Sequence, residues 1–293
     1  MLDEPIWQSE AKQWLLLDGA LVGHVVRYAR GQVDNGIDVI NLFWNSPWKD
    51  LDDIGPVIVE FHPELFNWAQ QQAGYRYGLA FESDAPLITL YEHWQCIIRY
   101  PQPQGGDFLL RLYDPVIWDY FFLASAKPIQ TQLFGPMHTV HTFGALEQRW
   151  QHYLKPVDDG EMSVEPIRQM KVSDEQWQAL TEASRHYQAI RVMEHAEKYF
   201  PQLLSAPDAK SNHQWVMEEL RRLSKIGASD DRSALLYINI LGRMGNIWDE
   251  QNPNHQEFTQ LLLSHEQLPT ARIEQVEKLS ADYHQSNKSG TDI

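Results

Sequence analysis

Cysteine is nearly absent from this 293-residue chain. Cys96 stands alone, which excludes an internal disulfide framework and any cysteine-rich zinc or iron–sulfur site. Cations are scarce as well: 24 Lys and Arg stand against 40 Asp and Glu, a net charge of −16. Nucleic acid and anionic membranes both demand a positive face, so neither is expected as a partner. The first 160 residues hold 10 basic and 20 acidic groups and the remainder 14 and 20, so neither half is basic. Long hydrophobic runs are missing too. The longest nearly apolar stretch, Val116 to Ala126, spans 11 residues and contains Asp119, whereas a membrane helix needs about 20. The opening Met1-Leu2-Asp3-Glu4-Pro5 has neither the basic nor the apolar region of a signal peptide. A soluble, cytoplasmic protein is the expectation.

Motifs that announce chemistry are also lacking. There is no Gly-x-x-x-x-Gly-Lys, no Gly-x-Gly-x-x-Gly after a strand and no Gly-x-Ser-x-Gly. His138 and His141 stand three apart, but Pro136 and the β-branched Thr139-Val140 favour an extended segment, where such a pair points to opposite faces. With no nearby carboxylate they are read as structural, as are the isolated His62 and His93. Asp18, Asp84 and Asp114 stand at the ends of expected elements, where Asp serves as cap or turn former and where acid–base pairs also gather. Asp249-Glu250 with Asn252 and Asn254 lacks the spacing and glycine of a calcium loop and reads as a solvated connection. Cys96 reads as a buried, inert thiol. No catalytic residue, cofactor or metal is expected.

What is present is a globular composition, 43% hydrophobic and 22% charged, in a chain long enough for two domains. Short apolar runs punctuated by Gly and Pro fill the first half. Trp14–Leu17, Pro56–Phe61 and Gly74–Phe81 read as strands, and 96–100 with 107–112 as a hairpin across the Pro101–Gly106 connector. Leu21–Tyr28, Pro63–Gln72 and Pro86–Trp94 read as helices, the last behind cap candidates Ser83-Asp84. Asp114-Pro115 starts another, because Asp caps free amides and Pro at the first position loses no hydrogen bond.

The composition shifts between Lys155 and Lys171, and no convincing strand follows. Ser173 and Gln176 form a capping box, with Val172 and Trp177 as a staple, and that helix stops at Phe200-Pro201. Further helices are expected from Ser211 to Gly227, from Ser229 to about Gly245, over Asn254–Leu263 and over Pro269–Tyr283. The fold class is therefore α+β: a mixed α/β lobe over 1–155, a linker at 156–171, an all-helical lobe over 172–283 and a flexible tail at 284–293.

Tryptophan is the compositional anomaly, with 11 in the chain. Trp7, Trp44, Trp48 and Trp248 fall outside regular apolar spacing. They serve either as filler in a large core or as anchors of a protein–protein interface.

The order of the motifs adds a resemblance. Leu15-Leu16-Leu17-Asp18-Gly19-Ala20 is followed by Gly55-Pro56, a strand reaching Glu82-Ser83, Arg111-Leu112-Tyr113-Asp114-Pro115 and Leu133-Phe134-Gly135-Pro136. Over about residues 13–140 this series resembles the domain-of-unknown-function family 4123, the adaptors or effector chaperones of bacterial type VI secretion. The resemblance implies a non-enzymatic protein that binds a cognate effector toxin in the cytoplasm and loads it onto the valine–glycine repeat spike. It also marks Asp18, Gly19, Gly55, Pro56, Tyr113, Asp114, Pro115, Phe134, Gly135 and Pro136 as framework. Phe43, Trp44 and Trp48 lie outside the family pattern and are the first candidate partner contacts, with the helical lobe as the alternative. The competing readings are an enzyme working through first-lobe carboxylates and histidines, and an immunity-like protein that binds a toxin.

Overall fold

A computed structural model describes residues 3–34, 36–102, 105–156 and 170–289. Contacts divide the chain into two compact units, Met1–Ala183 and Ser184–Ile293.

The first unit is built on a six-stranded antiparallel sheet. Its strands are β1 (Gln13–Leu17), β2 (Val39–Asn41), β3 (Val57–Glu60), β4 (Gly78–Glu82), β7 (Thr139–Gly144) and β8 (Arg149–Leu154), in the order β2-β3-β1-β4-β7-β8. A separate hairpin joins β5 (Arg99–Pro101) to β6 (Asp107–Leu109). The unbroken apolar run of β1 follows from its central place. Successive side chains alternate between faces, and here both faces are covered. Trp14 and Leu16 enter one core with Ile58, Leu79, Phe81 and Val140, while Leu15 and Leu17 enter another with Val57, Val59 and Ala80. The first core is closed by α3 (Leu87–Ile97), α4 (Pro115–Leu123) and α5 (Lys127–Phe134), the second by α1 (Val25–Tyr28) and α2 (Pro63–Ala73).

Strand and helix expectations met several local corrections. Cys96 and Ile97 are helical, because Leu90, Tyr91, Trp94 and Ile97 bury one face of α3 and carry the helix past the expected strand start. β6 stops at Leu109, where Leu110 to Leu112 turn instead. Only Val25–Tyr28 of the expected 21–28 helix is α-helical; His24 at φ 60° interrupts it, and the amides of Leu21 and Val22 bond the Asp18 carbonyl. Ser83-Asp84 do not cap α3, whose first turn follows Pro86. The short β2, the strand β8 and the helix α5 were not expected: β2 has three residues, and β8 is polar at most positions.

The Ser173–Gln176 box forms as expected. The Ser173 amide donates to Gln176 Oε1 at 2.9 Å, and the Gln176 amide donates to Ser173 Oγ at 3.3 Å. The helix it opens, α6 (Asp174–Tyr199), contains the division between the units. Its first turns belong with the first unit: Gln176 Nε2 donates to Ser125 Oγ at 2.7 Å, and Trp177 meets Tyr100 and Phe108 edge-on. Residues 157–169 of the expected linker lie outside the described residues.

The second unit is helical, as expected. After α6 come α7 (Ala209–Lys225), α8 (Asp231–Met244), α9 (His255–Leu263) and α10 (Pro269–Ser289) around a core that includes Val192, Leu220, Tyr237, Leu241, Phe258 and Ile273. The caps are Asp208 and Asp230, which accept from the amides of Ser211 and Ser233 at 2.8 and 2.9 Å; they displace Ser211 and Ser229 as the expected starts. The last helix runs past Tyr283 to Ser289, so the expected tail begins as helix, and 290–293 lie outside the described residues. Among the described residues no helix is long and apolar enough to cross a membrane.

Candidate functional site

Four of the sequence motifs meet in the first unit. Asp18, at the end of β1, is 1% exposed; its Oδ1 accepts from the Ala20 amide at 3.0 Å, and its Oδ2 accepts from Arg111. Burial disfavours the Arg111 charge, but Asp18 beside it more than offsets that and raises its pKa. The next residue, Gly19, touches the second motif: a Cβ there would overlap the Gly55 carbonyl oxygen, and one on Gly55 would lie 2.8 Å from the Phe43 ring. Pro56 follows, and its carbonyl accepts from the Leu42 amide at 2.8 Å. Tyr113 sits under the Arg111 guanidinium at 5.8 Å, and burial pushes its phenol pKa up. Asp114, 2% exposed, caps α4 by accepting from the Val116 and Ile117 amides at 3.1 and 3.2 Å, with Pro115 at the first helical position. Gly135 has φ 50°, and its α-carbon faces the His93 ring so closely that no Cβ fits. Phe134 is fully buried, and the Pro136 carbonyl accepts from Ser83 Oγ at 2.7 Å. The motif residues thus fix turns, caps and close approaches.

A second polar cluster was not expected. Glu82, on β4, is wholly buried and accepts from the Gln8 amide at 2.7 Å and from Ser9 Oγ. Its Oε1 also lies 2.8 Å from His141 Nε2, and His141 Nδ1 lies 2.6 Å from His152 Nδ1. Burial pulls the His141 pKa down to about 4 and lowers that of His152. Burial alone would raise the Glu82 pKa, but its bonds from Ser9, Gln8 and His141 bring it below the usual value. Trp7 covers the cluster, edge-on to His141 at 5.3 Å. The only hint in the sequence is one carboxylate closing an apolar strand.

The remaining titratable candidates resolve locally. His138 pairs with Asp84 at 3.3 Å, apart from the buried His141. His62 accepts from the Glu64 amide at the start of α2, and buried His93, its pKa pulled down to about 4, lies 2.8 Å from the Leu133 carbonyl. Asp249 and Asn252 close their own turns by accepting from the Gln251 and Asn254 amides. Trp248 donates to the Tyr237 hydroxyl at 2.6 Å. Burial raises the Cys96 thiol pKa. Among the described residues no group of three or more His, Cys, Asp or Glu could hold a metal ion.

The Phe43–Trp48 loop is different, because it meets solvent. Phe43 is its root, 3% exposed and 5.5 Å from the Trp48 ring, whereas Trp44 is 59% exposed. Side chains of α3 pin the loop: Gln95 Nε2 donates to the Leu42 and Trp44 carbonyls, both at 2.9 Å, and the Tyr91 hydroxyl donates to the Trp44 carbonyl. Between loop and helix lies an open groove of about 560 Å³, lined by Leu42, Pro47, Trp48, Glu92, Cys96 and Arg99 among others. The sequence singled out the loop but missed Tyr91 and Gln95, although their spacing of four on one helix face is legible.

The motif region has a counterpart among known families. The family described as domain of unknown function DUF4123 matches residues 13–133. That stretch, less than half of the chain, is similar to the family's domain. The framework from Asp18 to Pro115 lies inside that stretch, and so do the Phe43–Trp48 loop, α3 and Glu82; Phe134, Gly135 and Pro136 follow directly. Beyond the matched stretch, similarity to another protein extends over nearly the whole chain. It is 22% identical over 294 residues to accessory protein VasW of Vibrio cholerae serotype O1, covering 98% of this chain and 94% of the relative. No solved structure matches.

Proposed function

We propose that this protein is a cytoplasmic, non-enzymatic adaptor of type VI secretion that binds one cognate effector and presents it to the valine–glycine repeat spike. The observation that carries the reading is the DUF4123 match at 13–133, joined to near full-length similarity with an accessory protein. The role of each motif residue is in keeping with it: Asp18, Gly55, Asp114 and Gly135 serve turns, caps and close approaches rather than a reaction centre. The pinned loop with exposed Trp44 and half-buried Trp48 is the candidate contact, since rigid aromatic side chains contribute contact area at little entropic cost. Phe43, being buried, supports the loop from below.

Affinity purification of the tagged protein from its native host tests this reading. One secreted effector and spike components are expected together. Capture of a toxin domain without any spike component would favour an immunity-like role, and capture of neither would refute the adaptor role.

A further inference from the structure

The groove beside Trp48 is chemically lopsided. Apolar side chains dominate its walls, and two charged residues line it, Glu92 and Arg99. Arg99 is engaged already, with Nε 2.9 Å from Asp107 Oδ1 in the β5–β6 hairpin. Glu92 is exposed and, among the described residues, forms no ion pair or hydrogen bond. The uncompensated charge of the groove is therefore negative, in a chain whose net charge is −16.

That carboxylate constrains what can settle there. While the groove is open, water solvates Glu92; a neutral covering surface would strip that water and offer nothing in return. A lysine or arginine on the covering surface removes the penalty and adds a charge-assisted hydrogen bond. The same loop and the same helix also carry exposed apolar side chains, Trp44 and Ile88, 59% and 51% exposed. Ile88, Glu92 and Gln95 follow one another on a single face of α3, at the spacing of successive helical turns. An open groove with apolar walls suits a polypeptide segment better than an enclosed small molecule.

Resting on the adaptor reading above, we infer that this groove holds a short partner segment that sets a lysine or arginine against Glu92 beside bulky apolar side chains, as one face of a basic amphipathic helix does. Gln95 and Tyr91 hold the receiving loop in place beforehand, so little ordering is left for the moment of binding.

Cys96 reports occupancy directly, being the single thiol of the chain and part of the groove wall. The full-length protein is labelled with N-ethylmaleimide alone and with each of three synthetic amphipathic peptides. All three share a Leu/Trp face and differ only in carrying lysine, glutamine or glutamate opposite it. The lysine peptide is expected to slow labelling about tenfold when present at about ten times its Kd, at a concentration where the other two leave the rate unchanged. Glu92→Gln and Glu92→Lys should abolish the protection, and Glu218→Lys, on the exposed surface of α7, should not. Equal protection by all three peptides, protection by none, or loss in Glu218→Lys as well overturns the assignment, the last because it marks bulk attraction to an acidic chain. The two ideas fail separately. Selective protection by the lysine peptide, with no secretion component captured from the host, refutes the adaptor role and keeps the groove; capture of effector and spike, with no selective protection, does the reverse.

Discussion

Asp18 and Arg111 form an ion pair across 93 residues of sequence, and it ties the turn after β1 to the segment that leads into α4. One partner is almost fully buried and the other is 38% exposed, so the pair is neither a solvated surface bridge nor a wholly desolvated one. Removing Arg111 leaves a buried carboxylate with one backbone donor. Arg111→Met should therefore lower stability by about 1.5–3 kcal/mol, the range for hydrogen bonds to charged groups. Asp18→Asn in the same chain should restore part of the loss. Urea midpoints measure both, and an unchanged midpoint in Arg111→Met would contradict the role given to the pair.

Asp114 closes the same motif as a helix cap. Asp114→Ala should cost about 0.5–2 kcal/mol and leave partner binding intact. A folded variant that binds no partner would make the residue a contact instead.

The loop residues should separate by burial. Phe43→Ala opens the core beneath the loop and should cost about 3–5 kcal/mol of stability. Trp44→Ala removes an exposed ring and should change stability by no more than about 0.5 kcal/mol, while weakening partner binding by about 2 kcal/mol or more. Equal stability losses, or full binding by Trp44→Ala, would remove the loop from the docking surface.

The Glu82–His141–His152 cluster makes stability depend on pH with a definite sign. The native pKa of both histidines is lowered, His141 to about 4, whereas an unfolded imidazole takes its proton near 6.5. Between those values the unfolded chain binds more protons, so stability falls as pH falls. Glu82, with its pKa also lowered, adds to the loss at still lower pH. His141 by itself contributes a decrease on the order of 1–2 kcal/mol between neutral pH and about pH 5. Buried His93, pulled down to about 4, adds to it, and buried Asp119, pushed up to about 7, acts in the opposite sense. The share of His141 is therefore read as the difference between the chain and His141→Gln. A pH dependence of the urea midpoint that is the same in His141→Gln as in the unchanged chain would refute a neutral, buried His141.

The first lobe was legible where local chemistry decides structure. Pro115 behind Asp114, the Ser173–Gln176 box and the apolar run Trp14–Leu17 closed by Asp18-Gly19 each fix their element from within a few residues. What stayed hidden depends on distant partners. Nothing near Glu82 in sequence announces His141 or His152, which reach it only through the pairing of β4 with β7 and of β7 with β8. The end of α3 was misread for the same reason: Cys96 to Tyr100 looks like a strand, but burial of Trp94 and Ile97 holds the helix one turn further. Aromatic excess pointed to the Phe43–Trp48 loop, yet only the fold separates the ring that roots it from the ring that faces solvent.

Deletion of the gene tests the central claim most directly, with killing of prey by each effector and release of spike protein measured side by side. The adaptor account predicts that one effector loses its activity while spike release and the other effectors continue. Loss of every effector together would make the protein a core part of the secretion machine, and loss of none would contradict the adaptor account outright.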